Sequence, residues 1–213
     1  MKFHNLLEEV LGQKSKIKVL RVLFNTKMEM TGRQIAEFSG LNHRTCQLSL
    51  KELEKEGIVS LRRAGKSNLF RLKEENYFVK NILHILFKEE KALFQLLVNK
   101  ILRGTWKKDN NVISIILFGS FAQEREVADS DIDLFILCQK NTDKNKIGKR
   151  FDLLNQELIK SFGNVVSPYI LSLEEVKRRY KKNDKLIREI IKSGKIIYGK
   201  SLDEVISFGG KKV

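Results

Sequence analysis

The hydrophobic positions between residues 15 and 72 follow first a helical and then a strand period. Three amphipathic helices are predicted where apolar residues recur every three or four positions, over residues 15–24, 32–40 and 43–57. Thr31 and Asn42 directly precede the second and third helices, and both residue types cap helix N-termini. Two short strands follow, over 58–63 and 69–72, around a basic turn at 64–68. This part of the chain is predicted to form three helices and a β-hairpin.

Residues 75–103 contain no Gly or Pro, and their apolar residues keep a helical period until Gly104. A long helix is therefore predicted. It is too apolar for a free linker, so it is either a spine between two domains or the seam of a homodimer, and we expect the homodimer. The predicted division of the chain is a first domain over 1–74, a connecting helix over 75–104 and a second domain over 105–213.

Residues 113–199 alternate between apolar strands and amphipathic helices. Strands are predicted over residues 113–118, 134–137, 165–171 and 195–199, and helices over 147–162 and 183–193. Residues 140–149 are polar and rich in lysine, and they are predicted to be a loop. The order predicts a small mixed β-sheet with flanking helices, so the expected fold class of the chain is α+β.

The composition is typical of a soluble globular protein. The chain has 213 residues, of which 42% are hydrophobic and 31% charged, and this is enough for two small domains with separate cores. No apolar run reaches the roughly 20 residues that a membrane helix needs, and no secretory signal is visible, so a cytoplasmic protein without membrane contact is expected. Cys46 and Cys138 are predicted to be buried thiols, with an intramolecular disulfide as the alternative.

The net charge of +15 favours a polyanionic partner. The positive excess lies in residues 1–73 and 105–213, whereas residues 74–104 are nearly neutral. Nucleic acid is the partner that such a distribution favours most. The alternative is a solvated lysine-rich surface without a partner, and charge alone does not separate the two.

The most specific chemistry of the chain lies in the stretch LFGSFAQEREVADSDIDL. Gly119 and Ser120 follow an apolar strand, and Asp131 and Asp133 open the next one. Because side chains alternate along a strand, both carboxylates point to the same face. Neighbouring carboxylates repel each other unless a cation lies between them, and Mg²⁺ with substrate phosphates suits such oxygen ligands. Glycine allows close approach of backbone to a phosphate, and a serine hydroxyl can donate to it.

This arrangement resembles the nucleotidyltransferase superfamily of the DNA polymerase beta type, in its minimal form. The family pattern is an apolar strand, Gly-Ser, a loop and Asp-x-Asp on the next strand, and it falls on Gly119, Ser120, Ala122, Ser130, Asp131 and Asp133. The resemblance implies that Asp131 and Asp133 are catalytic and bind Mg²⁺. It implies that Gly119 and Ser120 hold the phosphates of an NTP. Ser130 is assigned to the nucleotide site, where it braces the turn into the strand.

Two positions depart from the family pattern. Many minimal members carry Arg-Gly where this chain has Gln123-Glu124, so a glutamate adds negative charge near the expected triphosphate. Active relatives usually carry a third carboxylate on a later strand, and the candidate strand at 164–171 has none. Asn164 or Ser167 is expected at that place as a neutral oxygen ligand. Nucleotide binding is therefore expected more than fast turnover.

Residues 12–73 resemble the winged helix-turn-helix domain of bacterial and archaeal transcription regulators. In that family the third helix enters the major groove and the hairpin follows phosphates or the minor groove. The resemblance implies base contacts from the start of this helix, at His43, Arg44, Thr45 and Gln47. It implies phosphate contacts from Lys51, Arg62, Arg63 and Lys66. The alternative is that the domain binds protein or only dimerises.

The faces of the second and third helices follow from their spacing. Ile35, Ala36 and Phe38 are expected to form the buried face of the second helix. The acidic residues at the end of the third helix are expected to face away from the groove: Glu52, Glu54 and Glu56. The third helix is therefore predicted to present cations and amides to DNA.

The leading hypothesis is a DNA-binding protein with a nucleotidyltransferase-type domain that binds Mg-NTP and transfers a nucleoside monophosphate to an acceptor hydroxyl. One alternative is a transcription regulator whose second domain only senses a nucleotide, as the missing third acid favours. Another is an antitoxin-like protein that pairs with a toxin, an arrangement frequent among minimal members of the resembled superfamily. The expected partners are double-stranded DNA, an NTP, a second copy of the chain and a partner protein.

Overall fold

The computed structural model describes residues 2–103, 111–140 and 142–207. Contacts within the chain divide it into two compact units, Met1–Phe94 and Gln95–Val213. The division falls inside a long helix, and the predicted stop of that helix at Gly104 lies outside the described residues. Each unit has its own sheet and its own hydrophobic core.

The first unit is a winged helix-turn-helix. Its helices are α1 (Leu6–Leu11), α2 (Lys14–Thr26), α3 (Gly32–Ser39), α4 (His43–Lys55) and the start of α5 (His84–Leu102), which follows a π-helical turn at Val79–Leu83. Its strands are β1 (Met30–Thr31), β2 (Val59–Ala64) and β3 (Ser67–Leu72), which form an antiparallel sheet in the order β1-β3-β2. The three predicted helices and the hairpin are confirmed, and α1 and β1 are additions to the prediction.

Capping residues set where α3 and α4 begin. The Gln34 N–H donates to the Thr31 hydroxyl at 3.3 Å, and the Thr31 N–H donates to the Gln34 side chain at 2.9 Å. The Thr45 N–H donates to Asn42 Oδ1 at 2.8 Å. Each bond satisfies an N–H that a first helical turn leaves unpaired. The starts of α3 and α4 are therefore fixed by local sequence.

Two predictions in this unit are wrong in detail. Phe38 is 68% exposed rather than buried, because it lies about 200° around α3 from Ala36. The hairpin turn spans only Gly65-Lys66, since strand pairing continues to Ala64. Gly65 has φ +58°, a conformation that glycine adopts without strain, and this permits the tighter turn.

The second unit contains a four-stranded mixed sheet. Its strands are β4 (Val112–Leu117), β5 (Ile132–Cys138), β6 (Val166–Ser172) and β7 (Lys195–Gly199). Its helices after α5 are α6 (Gly119–Ala122), α7 (Lys144–Phe162), α8 (Leu173–Lys181), α9 (Lys185–Ser193) and α10 (Leu202–Ser207). The strand order is β6-β5-β4-β7, with β5 and β6 parallel and the other pairs antiparallel. The predicted α+β fold is confirmed.

Strand β5 lies inside the sheet and is buried on both faces. Ile132 and Leu134 pack in one core with residues of α7. Phe135 and Leu137 pack in a second core with residues of α8 and α9. Because side chains alternate along a strand, Asp133 shares the face of Phe135. This aspartate therefore lies at the start of β5, on the side of the sheet where α8 and α9 pack.

Two local predictions in the second unit are wrong. Residues 140–149 are not one loop, because α7 begins at Lys144 and the Asp143 carboxylate caps it. Helix α10 is absent from the sequence prediction, although Ser201, a residue type that caps helices, directly precedes it. The Glu204 N–H donates to the Ser201 hydroxyl at 3.2 Å, as in other N-capped helices.

The predicted thiols are both present in the interior. Cys46 and Cys138 are fully buried, and no disulfide joins them. Burial raises the pKa of the Cys46 thiol to about 11, because the thiolate is poorly solvated there. In the described parts of the chain, no helix combines the length and the apolar character that a bilayer span requires.

Candidate functional site

The candidate catalytic site lies where β4 ends and β5 begins. The Phe118 N–H donates to the Asp133 carbonyl at 3.0 Å, and Gly119 begins α6. Gly119 has φ +71°, and a Cβ atom on it would lie 2.3 Å from Asp133 Oδ2. Glycine suits this position, since the backbone is left-handed and a side chain here would displace the Asp133 carboxylate. The Asp133 carboxylate therefore packs directly against the Gly-Ser backbone.

The two aspartates flank Ile132 at the start of β5, with Asp131 directly before the strand. Asp131 is exposed and Asp133 is half-buried, with the fully buried Ile132 between them. Burial, and then the charge of Asp131, raise the pKa of Asp133 above its ordinary value. Both effects disfavour the ionised pair, and a divalent cation would offset both. The donor set therefore fits a hard cation such as Mg²⁺.

Ser167 on β6 completes this polar face. It pairs with Asp133 in the parallel ladder, and its hydroxyl donates to Asp131 Oδ2 at 3.1 Å. Asn164 is used elsewhere, since its side chain donates to two backbone carbonyls in the loop before β5, at 3.3 and 3.1 Å. Of the two residues expected at the third ligand position, Ser167 is the one beside the carboxylates. Among the described residues, no group of three His, Cys, Asp or Glu side chains could hold a metal ion.

The other two predicted nucleotide residues have different surroundings. The Ser130 hydroxyl accepts from the Val127 N–H at 2.9 Å, and the Ser130 N–H donates to the Val127 carbonyl at 2.9 Å. Ser120 is half-buried in α6, and its carbonyl accepts from the N–H groups of Gln123 and Arg125 at 3.2 and 3.0 Å. Ser130 thus closes the loop before β5, whereas Ser120 lies on the segment that contacts Asp133.

Glu124 has the backbone conformation of a glycine. Its φ of +56° lies in the left-handed region, at a position where many minimal members of the resembled superfamily carry Gly. Its side chain is 82% exposed and pairs with Lys195 Nζ at 2.8 Å. The hydrogen bond to Lys195 lowers the pKa of the Glu124 carboxyl. The charge expected to oppose a triphosphate is therefore balanced by a lysine of β7.

A second candidate site is a surface recess beside α4 and β3, with a volume of about 570 Å³. Its polar lining residues are His43, Arg44, Gln47, Lys51, Glu54 and Asn68. The first four are predicted DNA contacts, and the helical period places them on one face. Asn68 and the exposed Leu48 also line the recess and are absent from the sequence prediction. Amide groups hydrogen-bond to bases, and apolar groups contact thymine methyls.

The remaining predicted DNA contacts lie outside the recess. Thr45 is half-buried, and its N–H donates to the capping side chain of Asn42. Arg62 Nε donates to both carboxylate oxygens of Glu29, at 2.9 and 3.1 Å, and this bond lowers the pKa of Glu29. Arg63 and Lys66 are exposed on the hairpin. The structure therefore brings four of the five predicted helix contacts together and leaves Thr45 and the hairpin cations outside the recess.

The acidic residues of α4 do not all face away from the recess. Glu54 lines it, one helical turn after Lys51. Glu52 faces the helix bundle instead, where Lys16 Nζ lies 2.6 Å from Glu52 Oε2. Lys16 is only 5% exposed and also donates to the Glu9 carbonyl at 2.6 Å. The expectation for Glu54 is wrong because two residues along a helix correspond to about 200° of rotation.

A Gly-Ser segment packed against two aspartates at the start of the neighbouring strand defines a nucleotidyltransferase type of site. The chain belongs to the polymerase beta nucleotidyltransferase family, whose match covers residues 99–203. It is 33% identical over 112 residues to a relative from Methanocaldococcus jannaschii that is by name a protein adenylyltransferase. That match covers 52% of this chain and 74% of the relative.

Several solved structures resemble parts of the chain. NolR from Sinorhizobium fredii is 23% identical, with 39% of this chain and 78% of that chain covered and a TM-score of 0.34. A homodimeric winged helix-turn-helix domain from Mycobacterium bovis is 25% identical, with 46% and 84% covered and a TM-score of 0.31. A toxin-antitoxin structure with AMP-PNP is 22% identical, with 53% and 86% covered and a TM-score of 0.35. These scores are low, so the fold assignment rests on this chain's own helices and strands.

Proposed function

We propose that the second unit binds an NTP and Mg²⁺ and transfers a nucleoside monophosphate to an acceptor hydroxyl. The contact between Gly119 and Asp133 carries this proposal, because a Cβ on the glycine would lie 2.3 Å from the carboxylate. A segment suited to phosphates thus packs against a carboxylate suited to a cation. Asp131, on the same face, supplies the second carboxylate.

The residues of this site act by position and charge. Gly119 leaves room for the Asp133 carboxylate, and the Ser167 hydroxyl donates to Asp131. Mg²⁺ bound by both carboxylates would neutralise charge on the phosphates as pyrophosphate leaves. In the transfer, a bond forms between the acceptor oxygen and the α-phosphorus, the bond to the β-phosphate oxygen breaks, and the hydroxyl proton passes to solvent.

The similarity to the archaeal relative favours ATP as the nucleotide and a protein hydroxyl as the acceptor, since that relative is by name a protein adenylyltransferase. The test uses the full chain with ATP labelled at the α-phosphate, with and without Mg²⁺, followed by denaturing electrophoresis. We expect label on a protein band that requires Mg²⁺ and is lost in Asp131→Asn. Asp129→Asn is the matched control, because Asp129 is exposed two residues away and loses the same charge.

A second candidate function is a nucleotide sensor with little turnover. Ser167 supports it, because a hydroxyl stands beside the two carboxylates where active relatives usually have an acid. In this case ATP would bind with Mg²⁺ but would be recovered unchanged, without label on protein. An antitoxin-like role stays a prediction, and its test is co-purification with a protein encoded next to the gene.

For the first unit, we propose binding of double-stranded DNA through α4 and the recess beside it. His43, Arg44, Gln47 and Lys51 line this recess together with Asn68 of the hairpin, and side chains of these types contact bases and phosphates. Fluorescence anisotropy with duplexes of different sequence tests the proposal. Specific binding that is weakened by Gln47→Ala supports it, and equal affinity for all duplexes contradicts base reading.

We also propose that the protein is a homodimer. Helix α5 carries large apolar residues that remain 41–57% exposed: Ile85, Leu86, Leu93, Phe94 and Leu96. Such a stripe is typical of a helix that packs against a second copy. Light scattering after size-exclusion chromatography tests this, and a mass of one chain at micromolar concentration would contradict it.

A further inference from the structure

The positive charge of the second unit is concentrated on α8, α9 and the turn between them. Residues 177–192 contain eight Lys and Arg residues and two acidic residues. The rest of residues 105–213 contains thirteen basic and thirteen acidic residues. The whole net positive charge of this part of the chain therefore comes from one short segment, which we call the α8–α9 surface.

Most cations of this surface are exposed and lack acidic partners. Arg178, Lys181, Lys182 and Lys185 are exposed, and none of them forms a salt bridge within the described part of the chain. Arg179 differs from them, since it lies 3.4 Å from Asp184 and over the Tyr169 ring. The surface therefore presents charge that is not neutralised by the fold itself.

The two helices separate their apolar and cationic faces. Val176 of α8 and Ile187 and Ile190 of α9 are buried in the second core. Lys185 and Arg188 are three residues apart on α9 and so lie on one outer face. Like charges at this spacing repel each other and weaken a helix. A bound anion would offset this repulsion.

An aromatic ring lies among these cations. Tyr180 is 36% exposed, and the Arg188 guanidinium lies 5.7 Å from its ring centroid. Lysines contact the phosphates of a single strand without regard to sequence, and aromatic rings stack with its bases. An acidic protein segment would use the lysines but not the ring. The combination of charge and ring therefore favours nucleic acid.

We propose that the α8–α9 surface binds single-stranded nucleic acid, with phosphates on its lysines and a base on Tyr180. This binding is separate from the duplex contacts proposed for α4, and it does not depend on nucleotide transfer. Gln123 Nε2 donates to Glu189 of α9 at 3.4 Å, so one side of the surface adjoins the segment that starts at Gly119.

The test measures fluorescence anisotropy of the full chain with labelled oligo-dT and oligo-rU at several salt concentrations. The variant is Lys181→Gln with Lys182→Gln and Lys185→Gln. The matched control is Lys146→Gln with Lys149→Gln and Lys160→Gln, because these exposed lysines of α7 remove the same charge from the same unit. We expect affinity about tenfold weaker for the variant and less than about twofold weaker for the control. The salt slope should fall by about 2, at roughly 0.7 per lost phosphate contact.

Two further measurements keep the proposal falsifiable. Tyr180→Ala should weaken binding about fivefold with an unchanged salt slope, because stacking releases no counterions. Melting temperatures of all variants should match the wild type, which excludes unfolding as the cause. Equal weakening by both triple variants, or no binding by the wild type at low salt, overturns the proposal. Equally tight binding of a polyglutamate peptide would assign the surface to an acidic protein instead.

Discussion

The recess beside α4 and the aspartate pair at the start of β5 are assembled in opposite ways. Arg44, Gln47 and Lys51 come from successive turns of one exposed helix, so a single helical period brings them together. Gly119, Asp133 and Ser167 come from three segments that meet only when the sheet forms. A surface on one helix can change residue by residue, whereas a site at strand ends depends on packing between neighbours.

The two sites also differ in how far their charged groups are exposed to solvent. The recess offers cations to solvent, where an isolated charge costs little. Asp133 is half-buried beside Asp131, and its raised pKa shows that the ionised form is disfavoured. We therefore expect mutations in the recess to change binding alone. Mutations at the aspartate pair should change both binding and stability.

Among the substitutions considered, Gly119→Ala should have the largest effect on stability. The left-handed φ of +71° and the overlap with Asp133 Oδ2 should lower the free energy of unfolding by about 2–4 kcal/mol. Urea denaturation measures this. Gly148→Ala is the control, because a Cβ there meets nothing within 4 Å and alanine favours a helix by up to about 1 kcal/mol. Equal effects of the two substitutions would contradict the packing described at Gly119.

Arg44→Ala should weaken duplex binding by about 1–3 kcal/mol at one base position, if this arginine reads a base. Arg62→Ala should cost less than about 1 kcal/mol, because Glu29 already binds that guanidinium at the surface. Anisotropy with single-base variants of a duplex measures both. A loss that is equal on every sequence would make Arg44 a phosphate contact.

Glu124→Gly should stabilise the protein by about 1 kcal/mol, since glycine removes the cost of a left-handed residue. Loss of the exposed ion pair with Lys195 should reduce this gain by a few tenths of a kcal/mol. Thermal unfolding measures the net effect. Glu126→Gly, at an exposed position with ordinary φ, should not stabilise. A lower melting temperature for Glu124→Gly would contradict the strain.

The smallest effect concerns pH. The pKa of Asp133 is raised in the folded state, so its charge reduces stability above that pKa and has no effect below the unfolded value. Asp133→Asn should therefore raise the stability of the free protein by a few tenths of a kcal/mol at pH 7, on the scale of partly exposed charges. The gain should vanish as the pH falls towards 4 and below. A gain that is constant with pH would point to packing instead.

Local signals explain which features could be predicted from the sequence. Thr31 and Asn42 act on neighbouring N–H groups, so their capping roles follow from sequence alone. The paired aspartates follow from strand alternation in the same way. Phe38 shows the limit of the approach, because a position in a short helix can satisfy a loose apolar pattern and still face solvent.

Contacts between distant segments decide what the sequence leaves open. The resemblance leaves Asn164 and Ser167 as alternatives, and Ser167 lies beside Asp131 because β6 pairs with β5 in parallel and in one register. Glu29 reaches Arg62 only because β1 joins the hairpin sheet. Sequence spacing does not predict such contacts, since they arise from strand pairing in the sheet rather than from neighbours in sequence.

The most direct test of the central claim is the thermal unfolding of the full chain with ATP, with and without Mg²⁺. At an ATP concentration about 100 times Kd, binding should add about 2.7 kcal/mol to stability. We predict that this stabilisation requires Mg²⁺, disappears in Asp131→Asn and persists in Asp129→Asn. Stabilisation that needs no Mg²⁺, or that survives Asp131→Asn, would show that the aspartate pair is not the nucleotide site.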